Sequence, residues 1–384
     1  MSATFEVQGF VKRGFEAVRD EFTKNFEERG ELGAAFAAVM DGEPIIDLWG
    51  GVADRGSGRR WGPGTLQIIF SGSKGLVSMC ILLLLERQQL DLDQPVARYW
   101  PEFAASGKEG VRVRDILGHT ARLPGIETAL SWQQATDDHM VAGLLAVQAQ
   151  SEDPRAPTAY HSLTFGWLCG ELLRRVDGRS VGRFFADEFA KPLDLDVWIG
   201  LPSELEPRVS TVELAQDWGT GRPISPEDLA SDPLARAVAN PVRYSPPDEF
   251  PWNEASWHIA EVPAANAIGT ARSIARLYGN LHQILSPETL TFARRPLSTR
   301  EDLLNRRWSS FGVGFQLQTD ELALGPPGDA FGHCGAGGSK HGYWPMQRVG
   351  FSYAMNLLYA DHTADSRGAD LLGALYSALE VATP

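Results

Sequence analysis

The sequence predicts an α/β fold: a sheet layer assembled from both chain ends, with a mostly helical insertion between them. Three observations predict it. Two strand-like stretches, AAFAAVM and PIIDLWGGV, flank Asp41-Gly42 near the start. Helical patterns then dominate from Ser73 to about Ile284. Short strand-like runs return between Phe311 and Leu357, ahead of a closing helix from Ala364 to Leu379. The expected sheet unit is residues 1–75 with 265–384, and the helical unit is residues 76–264.

Phe10, Phe15, Val18, Phe22 and Phe26 recur near a 3.6-residue period, so Phe10 to Phe26 is expected to be an amphipathic helix. Asp-Gly between two apolar runs signals a hairpin, because a type I′ turn needs positive φ at both central residues. A short strand is expected near Leu66 to Phe70. From Ser73 the pattern is helical to about Arg87. Val113 opens a helix expected to close at the Pro124-Gly125 turn. Leu163 to Arg175 is an amphipathic helix ended by Asp177-Gly178, and Ser180 to Ala190 follows, ended by Pro192. Residues 200–262 read as ordered loops over a core, since their tryptophans need burial. Thr270 to Ile284 is again helical. Phe311 to Gln318, Phe331 to Cys334, Tyr343 to Pro345 and Val349 to Leu357 read as strands.

The chain has 384 residues, 43% hydrophobic and 22% charged, enough for a core without disulfides or metals. Cys80, Cys169 and Cys334 include no Cys-x-x-Cys, which fits a reducing compartment. The net charge is −14, and the densest basic runs are pairs: Arg59-Arg60, Arg174-Arg175 and Arg306-Arg307. Nucleic-acid and membrane partners are therefore not expected. No apolar leader is visible, and Leu76 to Leu85 is too short to span a bilayer, so a cytoplasmic protein is expected. His-Glu-x-x-His and the phosphate-binding loop are absent, and Gly335-Ala336-Gly337-Gly338 has Lys340 where a dinucleotide fingerprint needs glycine. No metal or cofactor is expected.

Two serines compete as nucleophile. Ser180 lies in Gly178-Arg179-Ser180-Val181-Gly182, but a helix precedes it where a nucleophile elbow needs a strand. It is better read as the cap of the next helix, with Gly178 ending the one before. Ser71 opens the only Ser-x-x-Lys, with Lys74, one of just six lysines. At a helix start the i, i+3 spacing puts both side chains on one face, beside free N–H groups suited to an oxyanion. A sheltered lysine can release its proton and accept one from serine; arginine cannot. The plainer reading is a capped helix with Lys74 in solvent. Tyr160-His161-Ser162 stands before the Leu163 helix, and a phenol can carry a proton. Its plainer reading is a tyrosine packed on a helix start. His333-Cys334-Gly335-Ala336-Gly337-Gly338 follows a strand, and its glycines allow close backbone approach, as they also would in an ordinary hairpin.

These three elements, in this order, resemble the serine β-lactamase and penicillin-binding-protein superfamily, above all the family VIII carboxylesterases and their class C β-lactamase relatives. The stretches LDLDQPVARYWPEFAASGKEGVRVRDILGHTARLPG, YHSLTFGWLCGELLRRV, VPAANAIGTARSIARLYGNL, FGVGFQL and FGHCGAGGS extend the resemblance over about residues 30 to 380. It implies an α+β fold of class C type, with an antiparallel sheet flanked by helices. It implies Ser71 as acylated nucleophile, Lys74 as its partner and Tyr160 as proton shuttle. The amides of Ser71 and Ala336 would hold the oxyanion. His333 replaces the lactamase lysine, Cys334 a threonine and Ser162 an asparagine; a mostly neutral imidazole binds a β-lactam carboxylate poorly. With Gly335 and Trp344 these are the expected substrate-binding residues, and Lys340 and Tyr343 are expected near them. Trp132, Trp252 and Trp257 suggest either an aromatic pocket or core packing. The expected partner is a small ester, in a serine carboxylesterase without cofactor. Amide or β-lactam hydrolysis, acyl transfer, and a non-catalytic binding or assembly role stand as alternatives.

Overall fold

The computed structural model describes residues 6–216, 218, 226–240, 251–360 and 365–382. Parts of the expected 200–262 loops, and the expected start of the last helix at Ala364, lie outside the described residues.

The first stretch runs β1 (Gln8–Val11), α1 (Glu16–Glu27), β2 (Gly33–Met40), β3 (Glu43–Asp54), β4 (Arg59–Arg60) and β5 (Gln67–Ile68). The middle holds α2 (Ser73–Glu86), α3 (Val113–Leu117), α4 (Asp138–Val147), α5 (Thr164–Asp177) and α6 (Val181–Phe185). It continues through β6 (Val197–Trp198), β7 (Glu213–Leu214), α7 (Pro226–Ser231), α8 (Pro233–Ala239) and α9 (Ala255–Ile259). Then come β8 (Ile268–Gly269), α10 (Ala271–Gly279), α11 (Pro287–Ala293), β9 (Ser298–Asp302), β10 (Arg307–Phe311) and β11 (Gln316–Leu317). The chain closes with β12 (Phe331–Cys334), β13 (Lys340–Trp344), β14 (Val349–Met355), β15 (Leu357–Leu358) and α12 (Arg367–Ala382).

The main sheet has the order β1-β3-β2-β14-β13-β12-β11-β10-β9, with β4 on β3. Every pairing in it is antiparallel. Its strands come from both chain ends, joined at β2 and β14, where Phe36 faces Tyr353 and Ala37 faces Ser352. The two faces bury different things. Ala37, Val39 and Ala354 pack with Ala271 and Ala275 of α10. On the opposite face α12 packs against α1 and over Tyr353 and Trp344. α2 is buried on all sides from Ser73 to Leu84, as an apolar helix at the centre of a domain must be. It packs on α5 and α6. Among the described residues no helix is long and apolar enough to cross a membrane.

Most expected elements are present, including the Asp41-Gly42 turn, where φ is 50° and 80°. Three depart from expectation. The first helix starts at Glu16, because residues 8–11 pair with β3 as an edge strand and Gly14 turns the chain at φ 96°. Phe311 to Gln318 is not one strand: Gly314 at φ 76° folds it into the tight β10–β11 hairpin, closed by Gly312 N–H to Phe315 O at 2.9 Å. The Val113 helix ends at Leu117, well before Pro124, because His119 takes the left-handed conformation at φ 57°.

Candidate active site

The site begins where β5 runs out. A 3₁₀ turn, Phe70–Gly72, joins β5 to α2. Phe70 holds φ 48°, a costly conformation for a bulky residue. It is buried and meets Trp252 edge-to-face at 5.4 Å. The turn is tied down by Ile69 N–H to Ala267 O and by Ala267 N–H to Ser73 Oγ, both 2.9 Å. Ser71 is thereby held, partly exposed, at the entry to α2. Two glycines allow the close packing below it. A Cβ on Gly72 would lie 2.5 Å from the His341 ring, and one on Gly75 2.2 Å from the Tyr278 hydroxyl.

Lys74 is fully buried. Its Nζ lies 3.1 Å from Ser71 Oγ, donates to Ala264 O at 2.9 Å, and stands 5.0 Å from the centre of the Tyr160 ring. The Tyr160 hydroxyl lies 3.2 Å from His333 Nε2. His333 Nδ1 lies 2.8 Å from Cys334 O, which can only accept. A neutral imidazole satisfies both contacts with its proton on Nδ1, so Tyr160 donates to Nε2. Burial, with the Lys74 charge next, pushes His333 down to about 3, so this ring is uncharged at neutral pH. Behind Tyr160 sits His119, fully buried, 4.8 Å from the Tyr160 ring and 4.2 Å from Phe311.

Ala336 is exposed at the tip of the turn after β12. A Cβ on Gly335 would strike Ile69 O at 2.4 Å, so this turn abuts the residue two before Ser71. Its carbonyl at Gly337 accepts from Arg367 Nη2 at 3.2 Å. Arg367 is itself buried and paired with Glu31 at 2.8 Å and Asp365 at 2.9 Å. The pairing of Arg367 with Glu31 was not legible in the sequence, because the two are 336 residues apart.

Strand alternation sorts the remaining expected residues. His333 pairs with His341, on the sheet face toward α2. Cys334 pairs with Lys340, on the other face, and both Sγ and Nζ turn to Ala323 O, at 3.6 and 2.8 Å. Trp344 shares that face. It is fully buried, donates to Leu324 O at 2.7 Å, and packs on Phe351 and on Tyr376 of α12. The expectation that Trp344 and Lys340 line the pocket is therefore corrected, and the Cys334 side chain points away as well. The period of two along β13 puts odd and even residues on opposite faces. Ser162 is partly exposed two residues after Tyr160. Of the tryptophans, Trp252 is the one placed against the Ser71 turn, and Trp257 packs behind it at 5.4 Å.

Ser180 is a cap, as expected. It begins α6, its Oγ accepts from Arg183 N–H and donates to Glu261 at 2.7 Å, and Gly178 closes α5 at φ 90°. Ser180→Ala is expected to cost about 1–2 kcal/mol of stability. Turnover of p-nitrophenyl butyrate is expected within about twofold of wild type, since the Ser180 partners Arg183 and Glu261 are not among Ser71, Lys74 and Tyr160. Thermal melts and p-nitrophenyl butyrate assays check both; a dead, folded variant would return Ser180 to candidacy.

Comparison with known proteins agrees with this architecture. The Beta-lactamase family model matches residues 18–374. The chain is 34% identical over 365 residues to the protein named Esterase/beta-lactamase LipL of Mycobacterium tuberculosis, covering 92% of this chain and 83% of that one. A crystal structure of a family VIII carboxylesterase superposes with a TM-score of 0.87 at 34% identity, covering 97% of this chain and 100% of that one. A penicillin-binding protein homolog from Caulobacter crescentus gives 0.87 at 33%, with the same coverage. The sheet order, the Ser-x-x-Lys with its buried lysine and these matches together assign the chain to the Beta-lactamase family of serine hydrolases.

Proposed function

We propose that the protein is a carboxylesterase that cleaves small, uncharged esters through an acyl-enzyme on Ser71. The observation that carries this is the buried Lys74 amine 3.1 Å from Ser71 Oγ. In its neutral form that amine takes the serine proton as Oγ attacks the ester carbonyl, with the Tyr160 phenol beside it to relay the proton. The Ser71 and Ala336 amides stabilise the oxyanion. The C–O bond to the alcohol breaks as Tyr160 delivers the proton to the departing oxygen. Water then attacks the acyl carbonyl, the Lys74–Tyr160 pair takes its proton, and the acyl C–Oγ bond breaks as that proton passes to Oγ, which regenerates Ser71.

LipL carries both esterase and beta-lactamase in its name, and the family VIII carboxylesterase supports an ester substrate. So does His333: an uncharged ring at that position offers no cation to a substrate carboxylate. We place the site at the seam between two proposed units, residues 1–75 with 265–384 and residues 76–264, and the reaction in the cytoplasm.

A fluorophosphonate probe followed by peptide mass spectrometry tests the nucleophile. The expected adduct is on Ser71. Folded protein without that adduct overturns the reading and favours a non-catalytic role. Side-by-side turnover of p-nitrophenyl butyrate and a chromogenic cephalosporin tests the substrate class. The ester is expected to be preferred by about 10³-fold or more in kcat/KM, the effect of about 4 kcal/mol in transition-state binding. A preference for the cephalosporin overturns the ester assignment while leaving Ser71 in place.

A further inference from the structure

We propose that Asp302 is the positioning residue for Tyr160, an inference that rests on the proton-shuttle role given to Tyr160 above. Asp302 ends β9 and is buried, at 3% exposure. Its carboxylate does two jobs with two oxygens. Oδ1 accepts from Leu304 N–H at 2.8 Å and Asn305 N–H at 2.9 Å, closing the β9–β10 hairpin. Oδ2 accepts from Asn305 Nδ2 at 2.6 Å and reaches across the chain to Tyr160 N–H at 3.0 Å.

The rest of the hairpin grips the same segment. Leu303 N–H donates to Thr158 Oγ1 at 3.2 Å. Phe311, at the far end of β10, stacks on the Tyr160 ring at 5.7 Å with 14° between the planes. Tyr160 stands outside any helix, just before α5, so its own secondary structure does not fix it. A charge-assisted bond from a buried carboxylate to its N–H is a strong tether. The phenol has to reach Lys74, Ser71 and the leaving oxygen in turn, and a misplacement of about 1 Å costs such a group on the order of 10²-fold.

Asp302→Asn separates the two jobs. The amide oxygen can keep the two hairpin bonds of Oδ1. The NH₂ group then faces the Tyr160 N–H and Asn305 Nδ2, donor against donor, and the tether is lost. The readout is leaving-group dependence. p-Nitrophenolate leaves without a proton, whereas an alkoxide needs one from Tyr160. For Asp302→Asn we expect kcat on ethyl butyrate to fall about 100-fold and on p-nitrophenyl butyrate about tenfold or less. KM should stay within about twofold. In a Tyr160→Phe background, Asp302→Asn should add nothing to this difference. Asn305→Ala, which removes the second donor to Oδ2 but leaves the Tyr160 N–H on it, should leave it unchanged. If Asp302→Asn does not fold, Asp302→Ser replaces it, since a serine hydroxyl can still close the turn but stops short of Tyr160. Equal losses on both esters, or none, overturn the proposal. If Tyr160→Phe itself turns over both esters like wild type, the shuttle role falls. If Tyr160→Phe is impaired and Asp302→Asn is not, only the positioning role falls.

Discussion

Ser71→Ala is expected to lower turnover of p-nitrophenyl butyrate by about 10⁴-fold or more, in a protein that melts where wild type does. Without Oγ there is no acyl-enzyme, and the remaining oxyanion donors and binding contacts accelerate only direct attack by water. Little else should change. Ser71 is partly exposed, and the turn around it is held by Ile69, Ser73 and Phe70 rather than by its own hydroxyl. Lys74 keeps its bond to Ala264 O. Stopped-flow acylation and a thermal melt on the same sample check both halves. Retention of more than about a tenth of wild-type kcat would remove Ser71 as nucleophile, given the size of effect that losing a nucleophile has elsewhere. The small effect expected of Ser180→Ala makes the pair a direct contest between two serine motifs.

The parts of this site carried by short motifs were legible in the sequence. Ser71 and Lys74 are three residues apart, in the 3₁₀ turn and the first turn of α2 that follows it, and Tyr160 and His333 each sit at the end of a patterned element. Asp41-Gly42 announced its hairpin for the same reason: the turn chemistry is local. What escaped reading depends on pairing between distant segments. Asp302 meets Tyr160 across 142 residues, and Glu31 meets Arg367 across 336. Neither spacing leaves a local signature. Trp344 shows a different failure. Its position after the third motif suggested the pocket, but only the register of β12 with β13 decides which face an odd or even residue occupies. Residues 10 and 11 read as the start of a helix because Phe10 kept the helical period, and only the free edge of β3 recruits them, with residues 8 and 9, as a strand. Phe70 illustrates a limit of propensity itself. Its left-handed φ is unfavourable locally and is maintained by tertiary packing against Trp252.

Lys74→Met is expected to lower kcat by about 10³-fold while leaving the protein about as stable as wild type. Methionine matches the length of the lysine stem and carries no proton acceptor. Two effects on stability oppose each other. Ala264 O loses its donor, which costs about 1–3 kcal/mol. Against this, a fully buried amine no longer has to be held out of water, which costs about 1–3 kcal/mol for the neutral group that acts as base. The two effects are of similar size, so the melting temperature should stay close to that of wild type. Catalysis falls all the same, because the amine 3.1 Å from Ser71 Oγ is the group that takes the serine proton. The loss should lie in kcat, with KM nearly unchanged, since Lys74 lies beneath the nucleophile. Lys74→Arg should be equally inactive despite keeping the charge, because a guanidinium does not release its proton. Steady-state kinetics and calorimetry on the two variants decide the matter. An active Lys74→Arg enzyme would mean that the site needs a cation rather than a base, and the proton would then have to leave Ser71 through Tyr160 alone.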